Sequence, residues 1–159
     1  MIAETVLCNS GRSLSRRTAH VYPVRLDASA REERIHIEWQ FVGIKETIKE
    51  VESDCMLSMG AGIGLINIKS LVFSAHEAFA EGRYDVAVTD LEQIAREAKT
   101  NSDNFDGCPT DPNRNYVGNF MSRGLVAAFT IFDRFIHPVP TGDGGDWIIY
   151  TVPEDLDVL

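Results

Sequence analysis

Any chemistry in this 159-residue chain has to be built from a few polar side chains set into a long apolar segment near its C-terminus. At 100° per residue, Asn119, Arg123, Thr130 and Arg134 project within about 60° of one another on one helical face, and His137 continues the line. Arg114 and Asn115 stand just ahead of that segment, and Arg114, Arg123 and Arg134 are the only basic residues after Lys99. A guanidinium offers donors in a planar fork that matches a carboxylate or a phosphate. Grouped inside an acidic region, these arginines are suited to an anionic ligand or to a partner's acidic side chain, with pairing to local acids such as Asp133 as the purely structural alternative. The candidate binding set is therefore Arg114, Asn115, Asn119, Arg123, Thr130, Arg134 and His137.

Other clusters are weaker. Gly60, Gly62 and Gly64 would let backbone N–H groups approach a phosphate, but their spacing fits neither common phosphate-loop pattern, which favours a hinge or a helix entry. Asp103, Asp106 and Asp111 are oxygen ligands of the kind calcium takes, yet aligning Gly107 with the loop glycine of a calcium-binding hand puts Asn113 where the bidentate glutamate belongs. The four histidines, His20, His36, His76 and His137, form no HxxxH or HExxH pair. Cys8, Cys55 and Cys108 are odd in number and show no CxxC, so neither a disulfide framework nor a zinc site can be read from them. The expectation is no enzyme, no cofactor and no metal.

The element that must position the arginines is Val117 to Ile136. Its apolar residues, among them Val117, Phe120, Met121, Leu125, Ala128, Phe132 and Phe135, fall near the i, i+3, i+4, i+7 spacing of an amphipathic helix, which His137 and Pro138 end. Gly124 lies in the same stripe at a propensity cost of about 1 kcal/mol, which points to close approach of another backbone. Ahead of it, Leu65 to Ala80 and Tyr84 to Ala98 are also periodic, and Ile44 to Val51 predicts a short helix. Phe79, Gly82, Tyr84, Ala87, Val88 and Leu91 follow a spacing that resembles the hairpin centre of a tetratricopeptide repeat. The resemblance covers about thirteen residues with no second copy, and it implies a packed helical hairpin.

Residues 1–42 predict strands. Ile2 to Leu7 and Thr18 to Leu26 are extended in character, and Ile35, Ile37, Trp39 and Phe41 alternate with His36, Glu38 and Gln40. Trp147 to Val152 adds a possible last strand. The expected fold is α+β in one domain spanning 1–159: a small antiparallel N-terminal sheet, joined by the C-terminal strand, packed on a three-helix layer. Strands dominate 1–42 and helices 44–137, and 138–159 supplies a loop, a strand and an acidic tail. The alternating face of Ile35, Ile37, Trp39 and Phe41 should then pack on the Phe120 to Phe135 stripe.

The net charge of −9 is concentrated late: residues 100–159 hold three bases against nine acids. Nucleic-acid binders normally carry a basic patch, so direct DNA or RNA binding is disfavoured. No apolar run reaches the length of a membrane span, and the first residues lack a basic stretch followed by an apolar one, so the expected compartment is cytoplasmic. Two functions fit: a non-enzymatic protein-binding module, adaptor or inhibitor in type, whose acidic surface meets a basic protein, or a binder of a nucleotide or phosphorylated metabolite through the helix arginines. Open strand edges with Val126, Ile148 and Tyr150 suggest a homodimer.

Overall fold

The structure is a computed structural model that describes residues 28–55, 59–106, 115–136 and 150–156. These residues build helices, and no strand occurs among them: α1 (Ala28–Asp54), α2 (Met59–Ala80), α3 (Tyr84–Thr100), the single turn α4 (Ser102–Asp106) and α5 (Tyr116–Ile131). A π-helical turn, Phe132–Ile136, extends α5, and a 3₁₀ turn covers Glu154–Leu156. The expected α+β fold is thereby overturned. The segments Ile2 to Leu7 and Thr18 to Leu26 lie outside the described residues, as does the first half of Trp147 to Val152, but the clearest expected strand, Ile35 to Phe41, is the third and fourth turns of α1.

The alternation misleads because two helical stripes interleave along α1. Ile37, Phe41, Ile44, Ile48 and Val51, at steps of four and three, are all buried, whereas Ile35, Trp39 and Val42, also at steps of four and three, point outward. Superposed, the two stripes imitate a period of two. Half of the predicted apolar face packs inward, and the other half, Ile35 and Trp39, stands 49% and 67% exposed. The short helix expected from Ile44 to Val51 is the second half of the same 27-residue helix.

α1, α2, α3 and α5 form an antiparallel four-helix bundle, each packed on its neighbours in the ring α1–α2–α3–α5. The direction of α5 against α1 follows from two cross-contacts: Tyr116 donates to Asp54 at 2.6 Å, and Arg123 donates to Gln40 at 3.2 Å. One core runs through all four, with Phe41, Phe79, Phe105, Phe120, Tyr116 and Leu91 among its fully buried side chains. Each such side chain contributes about 1.5–3 kcal/mol relative to exposure.

The hairpin between α2 and α3 follows the sequence closely. Gly82, at φ +81, takes the left-handed conformation, its N–H donates to Phe79 O at 3.2 Å, and the Arg83 N–H donates to Ala78 O at 2.8 Å. That double bond closes the last turn of α2 and reverses the chain. α3 crosses α5 at Gly124, where an added Cβ would lie 3.0 Å from the Leu91 carbonyl oxygen, so the close approach expected from that glycine is present. Asn115 starts α5 by accepting the Gly118 N–H at 2.8 Å.

Candidate functional site

The predicted arginine face of α5 meets α1. The Arg123 guanidinium lies so close over Gly43 that a Cβ there would fall 2.5 Å from it, and it donates to Gln40. Thr130 is buried and donates to its own helix at Val126 O, 2.8 Å away. Asn115 serves as the helix cap, Asn119 is half-buried one turn on, and Arg134 sits in the π-helical turn beside the buried Asp133. At 1.5 Å per residue, Arg123 and Arg134 are separated by about 16 Å along the axis. Arg114 and His137 lie outside the described residues. The structure therefore places Asn119, Arg123, Thr130 and Arg134 on one helix without converging their polar groups on a common point.

Asp133 is the perturbed acid of this region. Burial pushes its carboxyl up from 3.8 to about 6, Arg134 pulls it down, and Glu33 of α1 pushes it up again. Aromatic packing closes this end of the bundle. Phe135 meets Phe79 edge-on at 5.6 Å and Tyr84 at 5.2 Å, while the Arg34 guanidinium lies 4.7 Å above Phe79 and 5.1 Å above Phe135.

A polar cluster that the sequence did not show sits between α1 and α2. His76 of α2 stacks on Phe41 with centroids 4.5 Å apart, its Nε2 lies 2.6 Å from Glu38 Oε1, and its Nδ1 lies 2.9 Å from Lys45 Nζ. An ammonium has only protons to give, so Nδ1 accepts and Nε2 carries the hydrogen donated to Glu38. Lys45 also lies 4.5 Å over the Phe73 ring. A shallow cavity of about 420 Å3, lined by Phe73, His76, Glu77 and Ala80, opens beside it. With both ring nitrogens engaged and one ring face covered, the imidazole has no free lone pair for a metal or a substrate proton. Glu38 and Lys45 are seven residues apart on α1, more than thirty residues from His76, so only the helix pairing brings the three together.

Next to this cluster, α1 presents Ile35, Trp39 and Val42 to solvent with Glu32 and Glu46 exposed at either end of the stripe. On the opposite side of the bundle, the C-terminal segment is strapped to α3: Tyr150 donates to Glu92, Arg96 pairs with Asp155, and Lys99 donates to the Asp155 carbonyl. Burial raises Glu92 despite the Tyr150 hydrogen bond and the nearby Arg96, and the Arg96 hydrogen bond lowers Asp155. Among the described residues no three His, Cys, Asp or Glu side chains gather as a metal site, and no helix is long and apolar enough to cross a membrane. Cys55 is disulfide-bonded, and its partner lies outside the described residues. Comparison of the chain with protein-family models, with curated proteins and with solved structures gave no match.

Proposed function

We infer that the protein is a non-enzymatic protein-binding module whose acid-flanked outer face of α1 receives a basic partner. The observation that carries this reading is Trp39, 67% exposed in the middle of an Ile35–Trp39–Val42 stripe with the spacing of a helix-docking seam. An indole presented to solvent between Glu32 and Glu46 suits a partner that offers apolar side chains flanked by Lys or Arg, through stacking, cation–π contact and charge attraction. The chain's net charge of −9 favours the same sign of partner. The anion-binding alternative is less supported, because Arg123 is engaged with Gln40 and Gly43.

The cytoplasmic placement expected from the sequence is not carried into this proposal, because Cys55 is disulfide-bonded and the cytosol keeps thiols reduced. The test is affinity capture from the native host at low and high salt with the wild-type chain and with Trp39→Ala, followed by mass spectrometry. Basic proteins captured at low salt and lost both in high salt and with Trp39→Ala support the assignment. An unchanged set of captured proteins with Trp39→Ala rejects it.

A further inference from the structure

We propose that the outer face of α2 is the contact surface of a homodimer, paired with the same face of a second copy. Met59, Ile63, Ile66 and Phe73 lie on the side of α2 away from its core residues and are 84%, 54%, 65% and 53% exposed, with Lys45 of α1 over one face of the Phe73 ring. Their steps of four, three and seven are those of a two-helix seam, with Ser70 at the position between Ile66 and Phe73. An exposed apolar stripe of this kind marks a contact surface, and paired with its copy it makes an interface of the weak, concentration-dependent class.

Charge selects a second copy as the occupant. The chain is strongly acidic, and self-association through most of its surface would bring like charges together. α2 carries one lysine and one glutamate in 22 residues, and Lys69 is already paired with Glu52 of its own chain. Outward positions of α1 hold Glu32 and Glu46 and those of α3 hold Asp85, while α5, which has no acid, exposes Val126 alone among its large apolar residues. With Glu77, one turn beyond Phe73, as the one acid of α2, this face gives a basic partner little to attract it and lets two acidic chains meet with less repulsion than the acid-flanked face of α1 does. Gly60 and Gly62 have open space above them, so a facing helix can approach the first turns of α2 closely. A seam of this kind is self-complementary about a two-fold axis, which closes the assembly at two copies. The surface is separate from strand edges, which do not occur among the described residues, and from Tyr150, which is buried.

The test is sedimentation of the full chain from about 1 μM to about 1 mM, a range that brackets weak and moderate dimers. The expected result is a concentration-dependent rise from 17.7 kDa to twice that mass. Ile66→Asp should raise the dimer dissociation constant at least tenfold while leaving the helical circular dichroism unchanged, because Ile66 lies outside the core. Ser70→Leu, which completes the apolar seam, should lower it. Trp39→Ala should not alter it, which separates this surface from the proposed hetero-partner face. A chain that stays at 17.7 kDa throughout, whether its α2 face is covered by another part of the chain or by a different protein, overturns the proposal. A dimer insensitive to both Ile66→Asp and Ser70→Leu does so equally.

Discussion

Replacing Asp133 with asparagine should make the protein more stable, by an amount that grows as the pH rises above the unfolded carboxyl's ordinary value. The folded-state value, raised by burial from 3.8 to about 6, exceeds the unfolded one, so the fold favours the protonated form. Below about pH 4 the group is protonated in both states and costs little. As the pH climbs from about 4 to about 6 the unfolded chain gives up a proton that the native carboxyl keeps, so stability falls by about 2–3 kcal/mol and levels off once the native carboxyl ionises as well. Asparagine keeps the shape and removes that titration. The difference in unfolding free energy between Asp133→Asn and the wild type, taken from urea melts at pH 4.5 and 7.5, should therefore grow by about 2 kcal/mol at the higher pH. For a chain of this length the same effect raises the melting midpoint by roughly 4–8 °C. Taking the difference cancels every other titrating group. A wild-type-to-variant gap that does not change between the two pH values would mean that Asp133 is solvated or fully offset by Arg134, and the reasoning would fail.

Three further outcomes follow from the same packing. Phe120→Ala should cost about 3–5 kcal/mol in denaturant melts through the cavity left beside Phe105, while Arg123→Ala, which loses one hydrogen bond to Gln40 and its cover over Gly43, should cost about 1 kcal/mol. Gly82→Ala should lower stability by about 1–2 kcal/mol although nothing crowds the position, because a side chain at φ +81 is strained by its own backbone; no change would mean that the turn relaxes. Reducing the disulfide at Cys55 should lower the unfolding free energy by about 2–5 kcal/mol, read as a drop in melting midpoint on adding a reductant.

Much of the helical hairpin was legible because its signals are local. Gly82 with Phe79 and Tyr84 on either side sets a turn within six residues, and the apolar spacing of α3 and α5 has a single inward stripe each. α1 was misread because its outward residues, Ile35, Trp39 and Val42, are as apolar as its inward ones, and periodicity alone gives no information on which apolar residues are left in water. The first turns of α2 looked like a hinge for a related reason: Gly60, Gly62 and Gly64 lower helix propensity locally, while Ala61, Leu65 and Ile68 are held by burial that no local preference reports. Arg123 and Thr130 share one α-helix while Arg134 falls in the π-helical turn, where 100° per residue no longer holds, and which neighbour covers that face depends on how α1 docks. The Glu38–His76–Lys45 cluster was out of reach for the same reason, since it joins helices through tertiary contact alone.

The strap that ties Tyr150 and Asp155 to α3 has a consequence for how the molecule comes apart. α3 is held on one side by α2, on another by α5, and along a third by the C-terminal segment, so its amides can exchange with solvent only in openings that release nearly the whole bundle. Among the described residues, α1 packs mainly on α5 and, more loosely, on α2. Hydrogen exchange should accordingly rank α3 slowest and the first half of α1 fastest of the four long helices, and a partial opening that lifts α1 would uncover Phe41 and Phe79 while α2, α3 and α5 stay associated.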